Sequence, residues 1–124
     1  RQDASRAPGP LLQAALLAAP GAEVAGLDLS EPMQGALGFT LRRRIPMLPG
    51  PEALADWLGR PFPSVALVQA AGERTPEALL SRLEEDPCLA GRFMPLLSKR
   101  LKHEVFVLVA NPQALARPDS GGAR

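Results

Sequence analysis

Side chains that usually carry out chemistry are scarce in this chain. Its 124 residues hold one cysteine, one histidine, no tyrosine and five aromatic residues in all. A lone cysteine excludes an internal disulfide framework and any cysteine-based zinc cluster, and a lone histidine removes most imidazole metal sites, so no metal or other cofactor is expected. The standard phosphate loops are missing as well. Gly35 and Gly38 make a GxxG fragment with no GK[ST] behind it, and Gly9, Gly21 and Gly26 do not produce GxGxxG. GxSxG and HExxH are absent, so a hydrolase has no motif to stand on. A formal net charge of +1 and the shortage of stacking rings argue against nucleic acid as a partner. Long apolar runs are lacking too. The longest, 11–19, has nine residues with Gln13 inside it, against the roughly 20 that a membrane-spanning helix needs, and no basic segment lies directly before it as in a signal peptide.

What is present suits one compact soluble domain. Hydrophobic residues make 46% of the chain and charged residues 22%, which at this length is enough apolar surface for one core. Residues 1–117 are expected to form a single α/β domain and 118–124 a disordered tail. Eleven glycines and 14 prolines fall short of a low-complexity composition and should punctuate the elements. The run 11–19 reads as a soluble helix that ends at Pro20 and Gly21. Arginine outnumbers lysine 12 to 2, in keeping with the codon bias of a GC-rich genome. The chain starts at Arg1 rather than methionine, as expected of a piece of something larger.

The six valines and the one isoleucine locate the strands, because stiff β-branched side chains suit a pleated surface. Ser64–Ala70 and Glu104–Ala110 are nearly unbroken apolar runs of strand length, as in central strands covered on both faces. Val24 marks a third strand at 23–29. Ile45 marks a fourth at 44–48, which Pro46 confines to a sheet edge or to a short extended piece. Helices are predicted between them. Ser30 can cap one that carries Met33, Ala36, Leu37 and Leu41 on one side. Pro51–Leu58 begins with proline at a first helical position and stops at Gly59, burying Leu54, Trp57 and Leu58. Thr75 precedes a third that turns Leu79, Leu80 and Leu83 inward. The alternation predicts an α/β fold, a small, largely parallel sheet flanked by helices. Segment 93–97 is readable as a further strand or as a short helix broken at Pro95.

Candidate chemistry is thin. Arg42, Arg43 and Arg44 form the densest charge feature and can grip a phosphate or carboxylate bidentately, or simply complement the negative end of the preceding helix. His103, before the last strand, is a candidate acid or base, or a surface residue at a strand entrance. Cys88, between Pro87 and an apolar pair, reads as a structural thiol or a nucleophile. Asp28 and Glu31 make an acidic pair at a strand end, where α/β folds place ligands, although the helix dipole alone accounts for Glu31.

The order of these features resembles the soluble C-terminal domain of bacterial membrane glycosyltransferases, the aminoarabinose-transferase and protein-mannosyltransferase superfamily. Phe39, Leu41 and Arg43 match an FYLxR-like stretch, Glu52, Leu54, Trp57 and Leu58 an EELxxWL-like helix, and Val107, Leu108, Val109 and Asn111 a VLVxN-like strand end. Thr40 stands where an aromatic residue would be expected. The resemblance spans about two-thirds of the chain and implies a parent enzyme that moves a sugar from a polyprenyl-phosphate donor. Its catalytic acids would lie in the membrane part, so no catalytic residue carries over. The domain itself would be non-catalytic, on the periplasmic or other extracytoplasmic face of an inner membrane. Its expected partners are the membrane-embedded part of the same polypeptide and a lipid-linked sugar or acceptor. There it would help to enclose the site or contact the acceptor, with Arg42, Arg43 and Arg44 toward the lipid phosphate. The alternatives are a stand-alone cytoplasmic interaction module without catalysis and, third, a small enzyme using His103.

Overall fold

The computed structural model describes residues 21–42, 44–70, 72–101 and 104–111. The elements run β1 (Glu23–Leu27), α1 (Glu31–Leu41), β2 (Met47–Leu48), α2 (Pro51–Leu58), β3 (Ser64–Ala70), α3 (Pro76–Glu85), β4 (Met94–Leu101) and β5 (Glu104–Ala110). The expected helix at 11–19, Arg43, His103 and the tail 118–124 lie outside the described residues.

Local signals set the helix ends. Ser30 accepts a hydrogen bond from the Met33 N–H at 3.4 Å, and Thr75 from Ala78 at 3.1 Å. Each satisfies a donor that the first turn leaves without a partner, and each helix has a proline in its opening positions. Helix α2 closes on Gly59, whose N–H returns to Ala55 and Asp56. The edge strand is shorter than the segment 44–48. Pro46 has no N–H to pair and serves only as an acceptor, taking the Gly26 N–H at 3.0 Å. Segment 93–97 resolves as the start of β4, which accommodates Pro95 through an irregularity in its pairing with β5 between Pro95 and Leu97.

The five strands form one sheet in the order β2-β1-β3-β5-β4. β1 pairs in parallel with β2 and β3, while β5 is antiparallel to both β3 and β4. Four strands therefore share a direction and β5 alone opposes them, which gives the α/β fold with its largely parallel sheet. From β1 the chain goes outward through α1 to β2 and back through α2 to β3. Crossovers of one hand then place the two helices on opposite faces.

Burial follows that division. Met33 and Leu37 of α1 pack with Val24, Val65, Leu67, Phe106 and Leu108. Leu54 and Leu58 of α2, with Leu79 and Leu83 of α3, pack with Ala66, Val68, Val105, Val107 and Val109 on the other side. Residues 65 to 68 and 105 to 110 thus alternate between two cores. A strand covered on both faces has no polar positions to spare, which is why these runs are continuous.

Candidate functional site

Two places in this framework gather polar side chains. The first is the corner where α1 hands over to β2. Helix α1 stops because Arg42 turns into the left-handed region, φ 60° and ψ 40°, and returns its N–H to Gly38. Arg42 and Arg44 are both exposed, and among the described residues neither forms an ion pair. The arginine run is thus partly placed, with Arg43 outside the described residues. Beside it Phe39 is 80% exposed and Met47 36%. Phe39, Arg44, Ile45 and Met47 line a groove of about 550 Å³ that reaches back along α1 to Glu31.

The second is the crevice at the carboxyl ends of β1 and β3, the point where the two crossovers diverge and where open α/β sheets bind ligands. Leu27, Asp28, Gly50, Val68, Arg82 and Asp86 surround about 340 Å³ there. Asp28 has φ 60°, uncommon for a residue with a side chain. The acidic pair is not kept together. Asp28 faces this crevice, whereas Glu31 sits in the first turn of α1 and lines the corner groove. Arg82 is engaged with Glu73 at 3.2 Å. Cys88 is half-buried in the adjoining hollow, its N–H donating to Asp86 Oδ1 at 2.9 Å. Desolvation first, then the negative charges of Asp86 and Glu52, push its thiol pKa upward. A thiol kept protonated is a poor nucleophile, which favours the structural role.

The most tightly held polar groups lie elsewhere, around the turn into β3. Asn111, fully buried, accepts the Ser64 N–H at 3.1 Å and donates to the carbonyls of Phe62 at 3.0 Å and Arg60 at 3.4 Å. Trp57 Nε1 donates to the Val65 carbonyl at 2.9 Å. The Arg60 guanidinium lies 3.7 Å from the Trp57 ring centre and 4.2 Å from that of Phe62, and it pairs with Glu23. Gln69, 3% exposed, accepts the Ser30 N–H at 2.9 Å and ties the start of α1 to β3. Sequence reasoning missed Arg60 and Gln69 as structural anchors. A glutamine inside an apolar strand run is a readable signal, since a buried amide needs a partner, but nothing local announces Arg60.

Chemically, both places offer recognition. Arginines at the corner suit an anion, and the mixed charges of the crevice suit a polar ligand. Among the described residues no group of three histidine, cysteine, aspartate or glutamate side chains is placed to hold a metal ion, and no helix is long and apolar enough to cross a membrane. Comparison with protein-family models, with curated proteins and with solved structures finds no match to this chain.

Proposed function

We propose that the chain is the soluble accessory domain of an integral-membrane glycosyltransferase that takes its sugar from a polyprenyl-phosphate donor. The domain does not catalyse. It lies on the extracytoplasmic side against the membrane-embedded part of the same polypeptide, where it helps to enclose the site or contacts the acceptor. The observation that carries this reading is the joint before β3. Trp57 and Asn111, which belong to two separate stretches of the resemblance, both clamp residues 60–65. Two stretches of the resemblance thus meet at one joint, as they would in the framework of a single domain type. The third stretch leaves Phe39 at the surface beside the exposed Arg42 and Arg44, open to a partner.

The test is the coding sequence upstream of Arg1, followed by deletion of this domain from the full-length protein. Several runs of about 20 apolar residues, and loss of sugar transfer from a polyprenyl-phosphate donor on deletion, are the expected results. A start codon within a few residues of Arg1, or full transfer by the deleted protein, overturns the proposal.

A further inference from the structure

The structure points to a docking face: we infer that the α1–β2 corner, through Phe39, Met47, Arg42 and Arg44, seats the domain on an anionic phospholipid surface. The inference rests on the membrane reading for its biological setting, while the surface itself is argued from the corner alone. Of the large apolar side chains exposed among the described residues, Phe39 is the most open at 80%, and Met47 lines the same groove. Phe62 is by contrast engaged by Arg60, and Met94 lies on the strand at the opposite edge of the sheet. Phe39 lies in the last turn of α1 and Arg42 is the left-handed residue that closes it, so both stand at the same end of the helix.

An apolar ring flanked by cations matches the interface of an anionic bilayer, where the ring enters the acyl boundary and the guanidinium groups meet phosphates. A soluble phosphate would satisfy the arginines and leave Phe39 in water. A partner strand is disfavoured at this edge, because β2 has two residues and is bracketed by Pro46 and Pro49, neither of which has an N–H to offer. The carboxylate in the groove, Glu31, opens α1. It stands eight residues before Phe39, about 12 Å along the helix, and the other carboxylate near Arg44, Glu23, is already paired with Arg60. The C-terminal end of α1 is therefore the end that meets the lipid.

The experiment is cosedimentation of this chain with vesicles containing phosphatidylglycerol and, in parallel, with pure phosphatidylcholine vesicles. Binding to the anionic vesicles that weakens with salt is expected. Arg42→Ala and Arg44→Ala should each weaken it about fivefold, and Phe39→Ser about tenfold with the salt dependence retained. Thermal unfolding of each variant should match the parent, since all three side chains are exposed. Absence of binding to anionic vesicles, equal binding to neutral ones, or an unchanged affinity in Phe39→Ser or in the double arginine variant overturns the inference. Failure here is separate from failure of the transferase reading. Vesicle binding by a chain whose gene encodes no apolar spans keeps the docking face and removes the transferase. A transferase whose isolated domain ignores vesicles does the reverse.

Discussion

Replacing Asn111 with alanine should be among the most damaging single changes outside the apolar core. The side chain is fully buried and makes three hydrogen bonds to the backbone of the segment entering β3. Truncation leaves the Ser64 N–H without an acceptor in a residue that is itself fully buried, at a cost of about 1–3 kcal/mol. The Phe62 carbonyl fares better, since it keeps the Ser64 hydroxyl at 3.1 Å. With the small void, the total is about 2–4 kcal/mol, or roughly 8–16 °C in Tm for a chain of this size. Asn111→Asp sharpens the test. It keeps the acceptor for Ser64, loses both donors, and turns a buried carboxylate toward two carbonyl oxygens. Its pKa should therefore be raised in the folded state, so that its stability is best below about pH 4 and falls as pH rises. Urea unfolding followed by Trp57 fluorescence and far-UV circular dichroism reads both variants. A loss under about 0.5 kcal/mol in Asn111→Ala, or an Asn111→Asp curve that does not depend on pH relative to Asn111→Ala, would refute the reasoning.

Leu79→Ala, at a position with no exposure, should cost about 2–5 kcal/mol in urea unfolding with the slope unchanged, because the helix is held to the sheet by that side chain. Arg60→Lys should cost about 1 kcal/mol and shift Trp57 emission to the red, since an ammonium cannot lie flat between Trp57 and Phe62. The raised Cys88 pKa predicts slow alkylation at neutral pH. The folded thiol holds its proton longer than the unfolded one, so its contribution is complete below about pH 9 and is lost as pH rises further. Comparing the unfolding of Cys88→Ala with the parent from pH 7 to 10 checks the sign.

Much of the architecture is legible in the order of the residues, and the reason is locality. Ser30 and Thr75 cap their helices within three residues, Pro51 and Gly59 bound theirs by their own backbone restrictions, and two continuous valine-rich runs announce strands with two covered faces. Even the exposure of Phe39 is implicit, because it falls off the stripe of Met33, Ala36, Leu37 and Leu41. Segment 93–97 is ambiguous as sequence because its proline and the polar Ser98-Lys99-Arg100 that follow oppose a strand locally, and pairing with β5 overrides them. Of the candidate places, the corner is legible as the arginine run and the crevice only through Asp28 and Cys88, since the residues that meet them come from distant segments.

Composition and local pattern by themselves determined the α/β class, the helix limits and the central strands, since those depend on near neighbours and on the period of burial. Tertiary structure alone decided the strand order, the parting of Asp28 from Glu31 and the meeting of Arg60 with Asn111 across 51 residues. Such contacts depend on which crossover passes over which face, and no residue carries that information until the sheet has formed.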